Sequence, residues 1–320
     1  MAIAKPKPET VDSICADIKA LKIQGARNIA IAAVRALVIT SSASNAKSPK
    51  QFYGELIESA ELLASTRPTE PMLRNSIRLV FANLERKIAG GASVPALKKA
   101  VKEEYDNYLI NVQKGIGAIA HYGSSIVPKG GKVLVHCHSS SVVGILKSAF
   151  DNGNLGSVIC TETRPKYQGR ITARELSEYG IDTTLIVDSA AGVFIPQVDM
   201  VLVGADAVSA TGDLVNKIGT RGIAQIAFDC GVPFYSAAEI YKFEPVTVWG
   251  RQIEIEERDT EEVISRWELP KAKVRNLAFD QTPAKYVKAF ITEKGVFPPY
   301  AMFSVAGQEF KIKNPIDMPV

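Results

Sequence analysis

A thiol between two imidazoles is the strongest chemical signal in this chain. Cys137 lies between His136 and His138, directly after the apolar residues 133–135. Such a short, β-branched run is typical of a buried parallel strand, so we expect the thiol at a strand end, where α/β proteins bind their ligands. A lone cysteine is also often a small buried hydrophobic residue, and Cys137 by itself leaves both interpretations open.

The carboxylate of Asp206 is the natural partner for that thiol. It follows the apolar run 200–203 and the small residues Gly204 and Ala205, which leave space for a substrate. A carboxyl group and a thiol on neighbouring strand ends suit acid–base catalysis, because burial and mutual charge set their proton affinities. The alternative is that Asp206 only caps the following helix, and the residue types leave both open.

Cationic and hydroxyl side chains near the same strand ends could bind phosphate groups. Arginine binds phosphate through two parallel hydrogen bonds, whereas lysine acts as a movable point charge. The candidate cations are Arg67, Arg164, Lys166, Arg170, Lys217 and Lys242. The other polar groups expected at this edge are Ser139, Thr161, Glu162, Asp188, Ser189, Ser236 and Glu239. Helix capping is the competing role for the polar groups, and solvated surface charge is the competing role for each cation.

Metal and nucleotide-cofactor chemistry are disfavoured. The four cysteines are scattered without a CxxC pair, and there are only three histidines. His136 and His138 alternate along the predicted strand, so at most one of them faces the site. No GxGxxG fingerprint follows a predicted strand, and no GxxxxGK[ST] loop occurs. We therefore expect no cofactor and no metal.

The composition is that of a globular protein large enough for two domains. Of its 320 residues 46% are hydrophobic, which allows a sizeable core. The formal charge of +4 is spread without a dense Lys/Arg block, so we expect an anionic small molecule and no nucleic-acid partner. We expect a cytoplasmic protein with no membrane partner. The cysteines are scattered, the first ten residues lack an apolar signal core, and no apolar run is long enough to span a membrane.

Two domains are predicted to position these groups. Residues 1–125 carry apolar side chains at three- and four-residue steps, with Thr10 as the first N-cap, and predict a helical N-terminal domain. After Pro128, short β-rich runs alternate with helical stretches, so residues 126–320 predict a Rossmann-like catalytic domain. Its mostly parallel, doubly wound sheet precedes a loop-rich C-terminal tail. The predicted strands are residues 133–135, 158–160, 184–187, 200–203, 223–227 and 232–235, of which 223–227 could equally belong to a helix.

Four segments resemble the superfamily of translation initiation factor 2B regulatory subunits and sugar-phosphate isomerases. They are HCHSSS, TETRPKYQGRITARELSEYGI, GADAVSATGDLVNKIGT and NLAFDQTPAKYV, in the family's order. The likeness covers nearly the whole chain and is closest to archaeal members that act on ribose 1,5-bisphosphate. Enzymes of this superfamily carry a catalytic cysteine and aspartate, which fall on Cys137 and Asp206. The initiation-factor subunits generally lack that pair.

The resemblance implies an aldose–ketose isomerase that converts ribose 1,5-bisphosphate to ribulose 1,5-bisphosphate in AMP degradation. Ring opening would precede hydrogen movement between C2 and C1, while Cys137 and Asp206 exchange protons with the sugar oxygens. A thiol that holds its proton at rest needs an apolar pocket without an adjacent imidazolium. The resemblance also implies a homo-oligomer, either a hexamer or a dimer. The alternatives are a methylthioribose-1-phosphate isomerase, with an apolar thioether pocket, and a non-catalytic regulatory subunit of the initiation-factor type.

Substrate contacts implied by the resemblance fall on both predicted domains. They are Gln24, Gly25, Ala26, Arg27, Arg67, Ser139, Ser140, Ser141, Asn216, Lys217 and Lys242. Gly25 opens a predicted helix, whose N-terminal amides suit a phosphate group. The chain departs from the family pattern at two of these positions. Gln24 stands where an arginine is usual, with Arg27 nearby, and Ser140 stands where some isomerases have a basic residue.

Overall fold

The computed structural model describes residues 9–310, which form two compact units, residues 9–112 and residues 113–310. The first unit is helical. It contains helices α1 (Val11–Lys19), α2 (Ala26–Ala43), α3 (Pro49–Ala64) and α4 (Pro71–Ala89) and the first part of α5 (Val94–Ser125). Because α5 extends into the second unit, the domain boundary after residue 125 stays a prediction.

Local sequence signals explain where these helices begin. The Thr10 hydroxyl accepts a hydrogen bond from the Ser13 N–H at 3.1 Å, and the Ser13 hydroxyl oxygen accepts one from the Thr10 N–H at 2.9 Å. This capping box satisfies two amides that would otherwise lack a partner at the start of α1. The Ser48 hydroxyl caps α3 by accepting from the Gln51 N–H at 3.2 Å, directly before a proline that is preorganised for the first helical position. The structure thus confirms a helical N-terminal region.

Helix α2 is the apolar centre of the first unit. It packs against α1, α3 and α4, and its many alanines allow close approach of the backbones. Among residues 9–310, α2 is also the one helix that is long and apolar enough to cross a membrane, although half of it is buried within the structure. A buried core helix meets the same criterion, so this feature is weak evidence for a membrane span.

Strands and helices alternate in the second unit. Its strands are β1 (Gly131–His136), β2 (Leu155–Thr161), β3 (Thr183–Ile186), β4 (Met200–Val203), β5 (Ala207–Val208), β6 (Leu214–Lys217), β7 (Phe234–Ala237), β8 (Phe279–Thr282), β9 (Ala289–Thr292) and β10 (Gly295–Phe297). Its further helices are α6 (Ser140–Asp151), α7 (Gln168–Glu178), α8 (Ala191–Phe194), α9 (Thr220–Asp229) and α10 (Met302–Phe310).

Seven of these strands form one mostly parallel sheet in the order β10-β9-β7-β4-β1-β2-β3. Only the pairing of β10 with β9 is antiparallel. β1 lies between β2 and β4, so the carboxyl ends of the three strands meet at one edge of the sheet. This arrangement confirms the predicted Rossmann-like sheet and places Cys137, which follows β1, at its ligand-binding edge.

Both faces of the sheet are covered, as expected for parallel strands. Val133 and Val135 of β1 pack on one side in a core with α6 and α7. Leu134 points to the other side, into a core with α8 and α9. Burying an aliphatic side chain of this kind stabilises the fold by about 1.5–3 kcal/mol. The central strand is thus held rigidly from both sides before it ends at the site.

A second, smaller sheet extends from the same region. β6 lies between β5 and β8, and both of its pairings are antiparallel. Asn216 faces Asp280 in the register of β6 and β8, and Lys217 faces Phe279. The small sheet therefore delivers Asn216 and Lys217 on a strand that is absent from the strands predicted from the sequence.

The structure decides one sequence prediction that was left open and contradicts another. Residues 223–227 lie in helix α9, because Ile223, Ala224 and Ala227 recur at helical spacing and bury one face against the sheet. The C-terminal region, expected to be a loop-rich tail, contributes β8 to the small sheet and β9 and β10 to the large one. Each of these strands has only three or four residues, too few for a clear alternating pattern.

Candidate active site

The backbone turns sharply at Cys137. β1 ends at His136, and Cys137 has a φ of +71°, in the left-handed region that costs a non-glycine residue roughly 1–2 kcal/mol. The Cys137 N–H donates a hydrogen bond of 2.9 Å to the hydroxyl of Thr163, which holds the turn. Strained backbone of this kind is concentrated at functional sites, which supports an active role for the thiol.

His136 forms a buried connection beneath this turn. Its Nε2 lies 2.9 Å from the carbonyl oxygen of Ile218, which only accepts hydrogen bonds, so Nε2 carries a proton. Its Nδ1 lies 2.7 Å from the Thr161 hydroxyl and accepts from it. Burial lowers the pKa of His136, so the ring is neutral at pH 7.

His138 is neutral as well. The Thr172 hydroxyl donates to the carbonyl oxygen of Cys137 at 3.0 Å, and its oxygen lies 3.0 Å from Nδ1 of His138. Since a hydroxyl has one hydrogen, Nδ1 must be the donor in the second contact. Burial lowers the pKa of His138. Neither imidazole flanking the thiol is therefore an imidazolium at neutral pH, in agreement with the requirement for a protonated resting thiol.

The Cys137 thiol holds its proton at neutral pH. Burial is the main cause that raises its pKa to about 11, and the negative charges of Asp206 and Asp188 act in the same direction. The ammonium of Lys217 opposes them and lowers the pKa. The structure thus brings Asp206 and Lys217 each within electrostatic reach of Cys137. Such an arrangement provides a thiol acid with a cation that stabilises the thiolate once the proton has left.

Asp206 lies between β4 and β5, and its backbone N–H donates to the carbonyl oxygen of Val215 at 2.9 Å. It does not begin a helix, because β5 follows it directly, so helix capping is not its role. Gly204 lets the ends of β4 and β1 come close together. A Cβ at Gly204 would lie 2.8 Å from the Cβ of Ser139, closer than real Cβ atoms approach. Any larger residue there would push Ser139 away.

The three serines after Cys137 have different surroundings. Ser139 is the N-cap of α6 and accepts from the Val142 N–H at 3.5 Å, and Ser140 is the exposed first residue of that helix. Ser141 is buried and donates to the carboxylate of Glu239 at 3.3 Å. At least Ser139 and Ser141 therefore have structural hydrogen bonds in addition to any substrate contact.

Two buried lysines supply positive charge on the second unit. Lys217 is 7% exposed, and its ammonium lies 4.6 Å from the centre of the Phe279 ring. Lys242 is 6% exposed and forms a 2.9 Å ion pair with Glu239. Asn216 is buried beside Lys217 and donates to the Thr220 hydroxyl at 3.0 Å. A buried cation is costly unless it is paired, and Lys242 is paired with Glu239.

The remaining predicted contacts lie in the first unit. Gln24, which is exposed, donates to the carbonyl oxygen of Leu21 at 2.6 Å. Gly25 precedes α2 with a φ of +82°, so a left-handed backbone is required there, and Ala26 and Arg27 form the first turn of that helix. Arg67 is buried and lies 3.1 Å from Glu70. The substrate contacts of these residues stay predictions.

The structure also identifies residues near the site that had no assigned role. The Asp188 carboxylate accepts from the backbone N–H groups of Thr163 and Arg164, each at 2.7 Å, and so orders the loop that supports Cys137. Gln168 begins α7 one turn before Thr172, and its buried side-chain oxygen accepts no hydrogen bond from any described residue. Gln168 lies within the motif at residues 161–181 and Asp188 lies outside it, but only the tertiary structure shows what they contact.

Within the range 9–310 there is no group of three or more His, Cys, Asp or Glu residues that could hold a metal ion. The described cysteines, Cys15, Cys137, Cys160 and Cys230, are all free thiols.

Known proteins are similar to this chain over most of its length. The model of the initiation factor 2 subunit family matches residues 22–299. A protein of Methanocaldococcus jannaschii named ribose 1,5-bisphosphate isomerase is 42% identical, covering 92% of this chain and 93% of that protein. The protein of the same name from Pyrococcus furiosus is 40% identical, covering 94% of each chain. A methylthioribose-1-phosphate isomerase of Heliobacterium modesticaldum is 38% identical, covering 90% of this chain and 87% of that protein.

Solved structures show the same architecture. The translation initiation factor eIF-2B of Pyrococcus horikoshii superposes with a TM-score of 0.78 and 29% identity, covering 91% of this chain and 98% of that chain. The 5-methylthioribose 1-phosphate isomerase of the same organism has a TM-score of 0.74 and 30% identity, covering 95% of this chain and 88% of the other. Enzymes and initiation factors thus share this fold, so fold alone does not decide the activity.

The raised pKa of Cys137 predicts slow alkylation. With peptide mass spectrometry, the iodoacetamide reaction of Cys137 should rise with pH towards a midpoint of about 11, because only the thiolate reacts. The exposed Cys230 gives an internal comparison in the same digest. A midpoint at or below 9 for Cys137 would contradict the assigned burial of the thiol.

The neutral His136 predicts acid sensitivity of the fold. Its pKa is lowered in the folded state, so the unfolded state binds the proton more readily and stability is lost as pH falls below about 6.5. The loss should grow steadily as the pH is lowered from 7.5 to 5.5. Urea unfolding of wild type and His136→Gln checks this, since glutamine retains a donor and an acceptor but does not titrate. An equal loss in both proteins would refute the assignment.

Proposed function

The chain belongs to the initiation factor 2 subunit family, and we propose that it is an aldose–ketose isomerase that converts ribose 1,5-bisphosphate to ribulose 1,5-bisphosphate. The observation that carries the proposal is the protonated Cys137 thiol, which lies within electrostatic reach of Asp206 and Lys217. The relatives named ribose 1,5-bisphosphate isomerase support the same reaction, because the similarity extends over nearly their whole length.

Cys137 is the proton donor in the proposed ring opening. The bond between C1 and the ring oxygen breaks as that oxygen takes the thiol proton. This step leaves a positive charge on C1 and converts the cysteine to a thiolate. The Lys217 ammonium lowers the pKa of the thiol, so it stabilises the thiolate that forms. Because the thiol is protonated at rest, this step needs no prior ionisation.

Asp206 is the proton acceptor in the second step. It removes the proton from the 2-hydroxyl group while the hydrogen on C2 moves to C1 with its electron pair. C2 becomes the ketone and C1 a methylene that carries the phosphate. The proton on Asp206 then returns to the Cys137 thiolate, which restores both groups. All atoms and electrons are conserved, so the reaction is an isomerisation without an external oxidant.

The proposal includes the substrate contacts expected from the resemblance. In the second unit, Asn216, Lys217 and Lys242 and the serines at 139–141 would bind the phosphorylated sugar. Lys242 would have to contact both Glu239 and a phosphate, since its ammonium already lies 2.9 Å from the Glu239 carboxylate. Contacts on Gln24, Gly25, Ala26, Arg27 and Arg67 are proposed on the same basis.

Methylthioribose-1-phosphate isomerase is the second candidate, because relatives of that name also match most of the chain. Its substrate has one phosphate and an apolar thioether, whereas the buried cations Lys217 and Lys242 favour a substrate with more negative charge. A non-catalytic regulatory subunit is disfavoured by the presence of both Cys137 and Asp206.

Three broader features belong to the proposal as well. We place the reaction in AMP degradation and the protein in the cytoplasm, with no nucleic-acid or membrane partner. We propose a homo-oligomer, either a hexamer or a dimer, which light scattering on the purified protein would distinguish. The helical domain is proposed to extend to residue 125, so limited proteolysis should spare residues 94–125 as one helix.

An activity assay tests the central proposal. Purified protein, with and without AMP, should convert α-ribose 1,5-bisphosphate to ribulose 1,5-bisphosphate, and methylthioribose 1-phosphate should be converted far more slowly. Cys137→Ser and Asp206→Asn should each reduce kcat by about 10²–10⁴-fold, the usual effect of losing a general acid or base.

Matched controls are available on the surface of α9. Asp229→Asn and Cys230→Ser remove the same functional groups at adjacent exposed positions and should retain full activity. Wild-type inactivity towards both sugar phosphates would refute the isomerase proposal. Full activity of either Cys137→Ser or Asp206→Asn would refute the assigned proton transfers.

A further inference from the structure

The motif at residues 276–287 contains a carboxylate with no part in the proposed chemistry. Asp280 lies on β8, and its carboxylate accepts hydrogen bonds from two backbone amides of the neighbouring turn. The Gly219 N–H donates at 2.7 Å, and the Arg221 N–H donates at 3.1 and 3.2 Å to the two oxygens. One side chain thus fixes both ends of a short segment, residues 219–221.

That segment directly follows the proposed substrate-binding residues Asn216 and Lys217. The Thr220 hydroxyl donates to the carbonyl oxygen of Lys217 at 2.6 Å and accepts from the Asn216 amide at 3.0 Å. Gly219 has a φ of +103°, which only glycine adopts without strain, so the turn is tight. Residues 219–221 are therefore linked to Asn216 and Lys217 through the Thr220 hydroxyl.

The same turn is attached to the strand that carries the thiol. Ile218 donates to the Ala278 carbonyl oxygen at 3.1 Å and accepts from Nε2 of His136 at 2.9 Å. His136 precedes Cys137 in the chain. The turn is thus held on one side by β8, through Asp280 and Ala278, and on the other side by the end of β1.

Lys217 directly precedes this turn, which is attached on both sides. Its ammonium lies over the ring of Phe279, the residue before Asp280, and its charge acts on the Cys137 thiol. We propose that Asp280 is a positioning residue that holds residues 218–221 in place and thereby keeps the Lys217 ammonium within electrostatic reach of the Cys137 thiol. The catalytic consequence rests on the proposed isomerase reaction, whereas the placement of Lys217 does not.

A purely structural role for Asp280 is the competing explanation, because a carboxylate at the start of α9 also stabilises that helix. The two roles have opposite effects on Cys137. Loss of Lys217 from its position makes the thiol harder to ionise, whereas general loosening exposes the thiol and makes it easier to ionise. Removing the negative charge of Asp280 would by itself also favour the thiolate. Of these three effects, only displacement of Lys217 slows the alkylation of Cys137.

Alkylation of Cys137 by iodoacetamide at pH 9, measured by peptide mass spectrometry, provides the test. Asp280→Ala and Asp280→Asn should react at least threefold more slowly than wild type, and Lys217→Met should be slowed similarly. The double variant Lys217→Met/Asp280→Ala should be no slower than Lys217→Met alone, since both changes remove the same charge from the thiol.

Asp213→Asn is the matched control. Asp213 also accepts a backbone hydrogen bond, from Ala284 at 2.9 Å, on the same small sheet, but none of its hydrogen bonds in the structure reaches residues 217–221. Cys137 in the Asp213→Asn variant should be alkylated at the wild-type rate. Unchanged or faster alkylation of both Asp280 variants, or additive slowing in the double variant, would overturn the inference.

Kinetics separate this inference from the proposed function. If wild type is an active isomerase, Asp280→Asn should lower kcat/KM at least tenfold, and Asp280→Glu should recover part of the loss by restoring the carboxylate. If wild type is inactive, the proposed reaction fails while the alkylation result still decides the placement of Lys217. Alkylation slowed as expected together with wild-type kcat/KM in Asp280→Asn would contradict the catalytic consequence.

Discussion

The buried hydrogen bonds of His136 are the constraint on which the site depends. The ring connects the end of the first strand of the large sheet to Thr161 on one side and to Ile218 on the other. Both bonds require a neutral imidazole with its proton on Nε2, and burial provides that state by lowering the pKa. The loop that supports the Cys137 backbone and the turn that follows Lys217 are thereby fixed to the same residue. The backbone segments that carry the thiol and the cation are consequently held together by the fold.

The balance of charge at Cys137 follows from that arrangement. Burial, Asp206 and Asp188 favour the neutral thiol, and Lys217 favours the thiolate. A thiol with this balance is a poor nucleophile at neutral pH, because it is almost entirely protonated, but it can act as an acid whose conjugate base has a cation beside it. The same surroundings make both flanking histidines poor bases for the thiol, because burial lowers the pKa of each ring and each Nδ1 is hydrogen-bonded to a threonine hydroxyl. Asp206 is the remaining candidate for the proton acceptor.

Sequence patterns predicted the parts of this account that depend on local order. The apolar run before Cys137, the small residues before Asp206 and the Thr10 cap all appear in the structure as expected. The pairing of β6 with β8 could not be predicted, because Leu214–Lys217 and Phe279–Thr282 are distant in sequence and short. The roles of Asp188 and Asp280 were missed for a related reason: each binds backbone amides of a different segment, and amides leave no signature in side-chain type. Residues 223–227 were ambiguous because a short apolar run fits a strand or a helix, and burial at helical spacing decided it.

The pH dependence of kcat/KM for ribose 1,5-bisphosphate tests the central claim most directly, because this profile reports the ionisation of essential groups in the free enzyme. With Cys137 acting as a protonated acid, activity should remain level through neutral and mildly basic pH and fall as the thiol ionises, with a basic limb near 11. The limb should be absent from the residual activity of Cys137→Ser. Activity that rises with pH through a pKa of 8 to 9 and requires Cys137 would mean that the thiolate is the working form, which would contradict the account.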